Sequence, residues 1–466
     1  MENKEMILPL VLREIVSADL CIGCGLCVYS CPADALKMHW NEYGFLVPVL
    51  QGDCDNNGLC IKSCPFNNQP ENDISSEDDI ASFYLKEAKN KNSRFGRYNG
   101  IYAGYSNQFR NSSSSGGLAT YIIIELFERG LIDHIISVTE SKEQSIHYEY
   151  SILSCKSDVL LASKTKYYPV TLDVALKKIQ EVDGKVAVVG VGCFIKAIRI
   201  AQHHDVFFKE KISFLIGIIC GGIKSSFFTD YLAQKTGVLD KKFIVPEYRI
   251  KNSKSSAIDY KFGCTKLVDN KLVQLRMQTL GDMWGTGLFK ANACDFCDDV
   301  TTELADISLG DAWLEPYSKD GAGNNVIVTR SKIADDIIKA GILDGSLNVE
   351  VLDLNRFIAS QQGSFNHRHR GLFFRIKVKG KYLLRKRERL YERISLSFKL
   401  VQLLRMYIRK RSLKVWLKES NAIRFDERMK FSLSILRRTT RLYHFVERIN
   451  NITLKKVLSK ISDLVK

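Results

Sequence analysis

Proline is scarce in this chain, 8 in 466 residues, and no low-complexity tract interrupts it. Pro-rich linkers, collagen-like repeats and extended disorder are thereby excluded as its main material. Long apolar runs are missing too. The longest, Val186 to Val191 and Phe214 to Cys220, fall far short of the ~20 residues that span a bilayer and read as buried strands. The first residues, MENKEMILPLVLREIV, have neither the unbroken apolar core nor the small-residue cleavage site of a secretory signal, so a cytoplasmic location is expected. Charge is plentiful but lopsided. Between Arg375 and Lys466 stand 27 basic and 7 acidic side chains, while the rest of the chain holds 41 basic against 45 acidic. The net charge of +16 therefore belongs to the C-terminal part, and the remainder is slightly acidic.

What is abundant is cysteine, 13 in all. The number is odd and most sit at metal-ligand spacing, which suits thiolate ligands in a reducing compartment rather than a disulfide framework. The segment Cys21-Ile-Gly-Cys24-Gly-Leu-Cys27-Val-Tyr-Ser-Cys31-Pro32 has the spacing C-x2-C-x2-C-x3-C-P. Three thiolates two residues apart wrap one iron-sulfur cubane, and the fourth, set a helical turn further and stopped by proline, points to a second cluster. A structural zinc site is the competing reading, but zinc ligands usually come as two separated C-x2-C elements.

The second motif, Cys54-Asp-Asn-Asn57-Gly-Leu-Cys60-Ile-Lys-Ser-Cys64-Pro65, aligns with the first if Asn57 holds the place of the middle cysteine. By the crossed rule, Cys21, Cys24, Cys27 and Cys64 form a complete set for a 4Fe-4S cluster, and Cys31, Cys54 and Cys60 an incomplete one. An amide is a poor substitute for a thiolate. The incomplete set is expected to hold a labile or 3Fe-4S cluster; a 4Fe-4S cluster with one non-thiolate ligand, or an empty site, are the alternatives. Asp55, two residues off register, offers an oxygen.

A length of 466 residues suggests about three units. Residues 1–70 read as a small α+β ferredoxin domain. Residues 71–95, rich in Asn, Ser, Glu and Asp, read as a linker. Residues 96–375 read as an α/β redox domain with a mixed sheet: Leu118 to Arg129, Val174 to Ile179 and Phe227 to Thr236 carry helical patterns, and Val186 to Val191 and Phe214 to Ile219 strand patterns. Residues 376–466 read as a basic helical tail, in which Leu390, Ile394, Phe398, Val401, Leu404 and Ile408 recur at helical spacing. This seam is flanked by Arg385-Lys-Arg387 and Arg409-Lys-Arg411. It suits packing on the chain's own acidic body, docking on a partner protein, or lying on an anionic membrane at its inner face. Nucleic acid is disfavoured, since no recognition motif or stacking platform accompanies it.

Four more cysteines sit where a redox site can be assembled. Cys193 ends VAVVGVGC, Cys220 ends FLIGIIC and leads into two glycines, and Cys294 with Cys297 forms C-D-F-C. On residues alone two buried structural cysteines with a zinc or disulfide pair explain them as well as a cluster does. Cys155 and Cys264 have no partner at metal spacing and read as structural. The turn Asn111-Ser-Ser-Ser-Ser115-Gly116-Gly117 leads into a helical pattern and reads either as a phosphate cradle or as a flexible turn with a serine cap.

Several blocks taken together resemble the family of coenzyme F420 hydrogenase/dehydrogenase beta subunits. They are Ser113-Ser-Ser-Gly116-Gly117-Leu-Ala-Thr, Gly190-Val-Gly-Cys193, Cys220-Gly-Gly222, and Cys294-Asp-Phe-Cys297 followed by Ala305-Asp306-Ile-Ser-Leu-Gly310-Asp311-Ala-Trp313. The resemblance runs from about Gly100 to Val328. It implies an α/β core carrying a flavin, FAD rather than FMN, and a third cluster, 4Fe-4S, on Cys193, Cys220, Cys294 and Cys297. It also turns the Ser113, Ser114, Ser115, Gly116 and Gly117 turn toward a flavin, with Asp306 and Asp311 as further candidate contacts. Two departures stand out: Gly192 where the family usually has proline, and Ser163-Lys-Thr-Lys166-Tyr167 where it has a Gly-Ser-x-Tyr pattern.

The expected function is a flavin-dependent iron-sulfur oxidoreductase serving coenzyme F420 or another small-molecule acceptor, with a redox protein as donor or acceptor. The rival is a non-catalytic electron-transfer subunit of a separate enzyme. Electron relay demands no side-chain acid or base, and none is nominated.

Overall fold

The computed structural model of the chain describes residues 8–143, 145–239, 242–380 and 394–465, with residues 450–465 described by backbone alone. Leu390 and Arg385 to Arg387 of the expected tail seam lie outside the described residues.

The two cysteine motifs at the N-terminus fold alike. Each enters a one-turn helix, Leu26–Tyr29 and Leu59–Lys62, from a glycine in the left-handed region, Gly25 at φ +80 and Gly58 at φ +74. Between the helices lies the antiparallel hairpin Leu36–Trp40 and Leu46–Leu50. Ser63 Oγ donates to Ser30 Oγ at 2.7 Å, joining equivalent positions of the two halves. Gly25 is needed twice over: besides its φ, a Cβ there would lie 2.4 Å from Thr171 Oγ1. Its bareness lets the first motif press onto residues 171–173, where Leu172 N donates to Cys24 O at 3.1 Å.

Residues 71–95, expected to be a linker, carry folded structure. Ser76 caps the helix Glu77–Tyr84 through a reciprocal bond pair with Asp79, and Ile74, Ile80, Ala81 and Leu85 are buried. The acidic run is a helix first turn, where carboxylates complement the exposed amides.

The body is built on an eight-stranded mixed sheet in the order Leu347–Val351, Gly100–Ser106, Asn325–Thr329, Ile307–Asp311, Ile212–Ile218, Val186–Val191, His134–Glu140, Tyr148–Leu153. Ile307–Asp311, Ile212–Ile218, Val186–Val191 and His134–Glu140 run parallel, and the other strands pair antiparallel. Val186–Val191 lies where the β-branched run places it, since a central strand buried on both faces needs no alternation. The helices Leu118–Glu128, Asp173–Lys178 and Ser226–Lys235 fall within a residue or two of their sequence patterns. A separate antiparallel sheet of Phe243–Ile250, Lys261–Lys266 and Leu272–Arg276 lies beside this body.

The C-terminal part is two long helices, Leu396–Glu419 and Ala422–Val465, lying against each other. Phe398, Val401 and Ile408 of the expected seam are buried, as are Trp416, Phe425 and Met429, in one cluster with Phe228, Tyr248 and Phe289. The Phe289 ring stacks on Phe425 at 4.9 Å and meets Trp416 edge-on at 5.8 Å. The seam thus packs on the chain's own body.

Candidate iron-sulfur and cofactor site

The fold gathers eleven of the thirteen cysteines into three sets. Cys21, Cys24 and Cys27 line the first motif's loop and Cys64 reaches them from the second. Burial pushes the Cys21 thiol up to about 11 and Cys64 to about 12, and raises Cys24 further, with Cys64 and Cys21 adding to the rise at Cys24. Cys27 is raised by burial and then by Cys24, Cys21 and Cys64.

Cys31, Cys54 and Cys60 form the second set. They line a shallow solvent-open hollow together with Asp55 and Asn57. Burial raises the Cys60 thiol, and Cys54 and Cys31 add to it. Asn57 turns its amide away from ligand duty: Oδ1 accepts from Leu59 N at 2.8 Å and Nδ2 donates to both Asp55 oxygens at 2.7 Å.

The third set is assembled from distant segments. Cys193 follows the strand Val186–Val191, Cys220 follows Ile212–Ile218, and Cys294 lies in the 3-10 turn Asn292–Phe296 with Cys297 just after it. The first two are therefore at the carboxyl ends of adjacent parallel strands, the edge where α/β sheets bind ligands. Cys193 is raised by burial and then by Cys297, Cys294 and Cys220. Thiols so buried and so close ionise together only with a metal cation among them. Main-chain amides already point at the sulfurs, as thiolate ligands require: Gly23 N to Cys21 at 3.4 Å, Asn56 N to Cys54 at 3.4 Å, Gly222 N to Cys220 at 3.2 Å and Ile223 N to Cys294 at 3.2 Å.

The spacing argues against zinc. A zinc ion holds thiolates at about 2.3 Å, so its sulfurs lie about 3.8 Å from one another. Among the described residues no three cysteine sulfurs lie within 4.8 Å of each other; the one such trio of metal-capable side chains is Glu71, Asp73 and His203. The thiol sets are therefore more open than a single zinc ion requires, which leaves room for an iron-sulfur cluster.

The sets are linked. Cys60 contributes to the rise at Cys27, and Cys24 to that at Cys193. Tyr150, raised first by burial, also feels Cys193, Cys24 and Cys220, and its hydroxyl donates to Val189 O at 3.1 Å. Cys264 is buried beside Thr236, as a structural cysteine should be, whereas Cys155 is exposed at the start of the helix Lys156–Ala162.

Around the third set stands a group of buried charges that sequence reasoning missed. Arg368 Nη1 lies 3.7 Å from Cys297 Sγ and the guanidinium also donates to the carbonyls of Cys220 and Asp299. Asp295, inside C-D-F-C, is held by Lys290 Nζ at 2.8 Å and Arg409 Nε at 2.8 Å. Burial opposes its charge, but Lys290, Arg409 and Arg375 prevail and bring its carboxyl down to about 2. Lys224, 2% exposed, donates to Met283 O and Leu288 O and sits 4.6 Å from the Trp284 ring; burial, then Lys290, brings its ammonium down to about 7. The one sequence hint was the clustering of His367-Arg-His-Arg370 at the end of the body.

The serine-glycine turn lies along the same sheet edge. Ser114 Oγ accepts from Thr165 N at 2.9 Å, Ser115 Oγ donates to Asn324 O at 3.0 Å, and Ser113 Oγ is shielded from solvent with no partner among the described residues. Gly117 caps the helix Leu118–Glu128 from the left-handed region, and Gly116 lies too close to Asn325 and Gly104 for a Cβ. Lys251 Nζ reaches over the turn to Ser115 O at 3.1 Å and Ala322 O at 2.8 Å, and burial lowers its ammonium to about 8. Asp311 pairs with buried Arg249 at 2.6 Å, whose Nε is unpartnered among the described residues. An orphaned hydroxyl, a cation bonded to carbonyls and a guanidinium with a spare donor fit a phosphate-bearing cofactor such as FAD.

Asp306 does not join them. It lies at the opposite end of Ile307–Asp311, where it pairs with Arg199 at 3.0 Å and accepts from Leu215 N at 2.9 Å, tying helix to sheet. The departures from the family pattern have local causes: a Cβ at Gly192 would lie 2.4 Å from Asp299 Oδ2, and Lys164 takes φ +83, a glycine-like conformation.

Comparison with known proteins matches two family models that follow one another along the chain. Residues 101–177 match coenzyme F420 hydrogenase/dehydrogenase, beta subunit N-term, and residues 183–354 the corresponding C terminus. Residues 20–68 match a 4Fe-4S dicluster domain. A subunit of the F(420)H(2) dehydrogenase of Methanosarcina mazei is 26% identical over 68% of this chain and 84% of its own length. The coenzyme F420-dependent sulfite reductase of Methanocaldococcus jannaschii is 26% identical over 73% of this chain, which spans about half (49%) of that protein. Among solved structures, the xenon-derivatised F420-reducing [NiFe] hydrogenase complex from Methanosarcina barkeri contains a chain similar over 64% of this one and 98% of its own, at 19% identity and TM-score 0.48.

Proposed function

Because the chain belongs to the family of coenzyme F420 hydrogenase/dehydrogenase beta subunits, we propose that it is an iron-sulfur flavoprotein oxidoreductase of the cytoplasm, serving coenzyme F420 or another soluble small molecule. The observation that carries this reading is that each thiol set lies within electrostatic reach of the next, Cys60 adding to the rise at Cys27 and Cys24 to that at Cys193. Bound in such sets, clusters carry single electrons, and a flavin couples them to a two-electron acceptor.

The chain's own residues do the rest. Gly25 lets the ferredoxin motif seat directly on the body, where Leu172 N donates to Cys24 O. Buried Tyr150 lies within electrostatic reach of both Cys24 and Cys193. The amides of Gly23, Gly222 and Ile223 and the guanidinium of Arg368 favour extra negative charge on the sulfurs they face. Ser113, Arg249 and Lys251 supply the seat for the flavin's phosphates.

Anaerobically purified protein, loaded with iron, sulfide and FAD and given reduced ferredoxin, should reduce coenzyme F420 or a simple two-electron dye by itself. Failure to retain FAD after loading would overturn the flavoprotein reading. The name of one relative, a dehydrogenase subunit, favours the second reading, an electron-transfer subunit. Clusters that accept electrons while no acceptor turns over until a partner protein is added would establish that reading instead.

A further inference from the structure

The two C-terminal helices are apolar on more than the face that packs. On Leu396–Glu419 the buried row is Phe398, Val401, Ile408 and Trp416, and a second row, Leu396, Leu400, Leu403 and Tyr407, is exposed. On Ala422–Val465 the buried row is Phe425, Met429, Leu436 and Tyr443, and Phe431, Ile435, Leu442, Phe445 and Ile449 are exposed. Spacings of three, four and seven keep each exposed row on one face. On the longer helix that face lies roughly 120° around the axis from the buried one and runs for about 27 Å. Leu396 is 73% exposed, Phe431 76% and Phe445 61%. Contiguous exposure of this kind marks an interaction surface rather than scattered surface leucines.

The charge beside these rows is mostly basic, with exposed Glu427, one turn before Phe431, as the acidic exception among the described residues. Lys399, Lys410 and Lys414 flank the first row, and Lys430, Arg437, Arg441 and Arg448 the second. Three acidic residues of the pair are engaged: Asp426 accepts from Tyr231 and Lys235 at 2.8 Å, Glu419 faces Arg428 at 3.4 Å, and Glu447 faces Arg370 at 3.7 Å. Among the described residues no helix is long and apolar enough to cross a membrane. An extended apolar strip with a basic margin has the chemistry of a helix that lies in an anionic lipid interface.

We propose that the outer face of this helix pair docks the protein on an anionic membrane surface, through Phe431, Phe445 and their row inserted among the acyl chains and the flanking lysines and arginines set against lipid phosphates. The surface is distinct from the seam recognised in the sequence, which is spent on the body.

The test is sedimentation of the full chain with vesicles of phosphatidylglycerol and phosphatidylcholine, and with phosphatidylcholine alone. The protein should pellet with the anionic vesicles at low salt, much less at high salt, and little with the neutral ones. Phe431→Ser with Phe445→Ser should weaken the partition by about tenfold or more, since two aromatic rings no longer leave water. Arg437→Glu with Arg441→Glu should weaken it at least as much on anionic vesicles alone. All four side chains are on the solvent face, so cluster iron and far-UV circular dichroism should match wild type. The proposal is overturned if the full chain stays in the supernatant with anionic vesicles at low salt, or if the variants pellet as wild type does. It is equally overturned if the aromatic variant's only effect is to abolish self-association in the absence of lipid, which would make the face a contact between copies.

Discussion

Replacing Arg409 by methionine should loosen the third thiol set from outside it. Arg409 belongs to a helix more than a hundred residues downstream, is 3% exposed, and bonds Asp295 Oδ2 at 2.8 Å and Asn292 Oδ1 at 2.5 Å. Asp295 is flanked by Cys294 and Cys297, so the bond braces the loop that carries two of the four thiols. Methionine preserves the buried stem and removes both bonds. Bonds to charged groups are worth about 1.5–3 kcal/mol each, and part is returned because a guanidinium is no longer buried. Asp295 keeps Lys290 at 2.8 Å, so the net loss should be about 3 kcal/mol. Asp295→Asn should cost more, about 3–5 kcal/mol, because it strands Lys290 and Arg409 without their carboxylate. A protein with several cofactor sites does not unfold in two states, so the assay is iron release to a chelator alongside thermal melting. Roughly a third of the iron should leave faster in Arg409→Met while the ferredoxin iron leaves at the wild-type rate. Identical release and identical melting would refute the bracing.

Asn57→Cys should complete the second set. The side chain lies on the hollow lined by Cys31, Cys54 and Cys60, so the iron content should rise by about one atom and an oxidised three-iron electron paramagnetic resonance signal should vanish; no change in either would show that the set is empty or already four-iron. Arg368→Gln removes a cation 3.7 Å from Cys297 Sγ. The reduced, more negative state of that site loses its partner, so its midpoint potential should fall in a redox titration, and an unchanged or raised potential contradicts the assignment. The carboxyl of Asp295 is depressed to about 2 in the folded chain. Its contribution to stability should be full above the usual carboxylate range near 4 and disappear as pH falls through about 2, a loss that Asp295→Asn should not show in acid-denaturation curves.

The readable parts of this protein were those whose chemistry is local. Cysteine ligands of one motif must lie a few residues apart, so the Cys21 to Cys31 and Cys54 to Cys64 sets are written as spacing. The strand Val186–Val191 is legible because both its faces are buried, and the Phe398, Val401 and Ile408 row because a helix repeats. The illegible parts depend on partners far away in the chain. Asp306 resembles a cofactor contact until Arg199, 107 residues away, is seen to hold it. Arg368, Lys290 and Arg409 look like ordinary surface charges until the fold buries them around Cys297 and Asp295. Residues 71–95 have a linker's composition, yet the Ser76 cap and buried side chains such as Ile74, Ile80 and Leu85 fold them. The exposed Phe431 row went unseen because composition does not say which of two apolar faces meets the body.

The central claim is that three thiol sets each hold a cluster and that a flavin completes the chain of carriers. Anaerobic purification with quantification of iron, acid-labile sulfide and flavin tests it most directly. About eleven iron atoms per chain, from sets of four, three and four, with one flavin, is the result expected; about seven iron atoms and no flavin would contradict it.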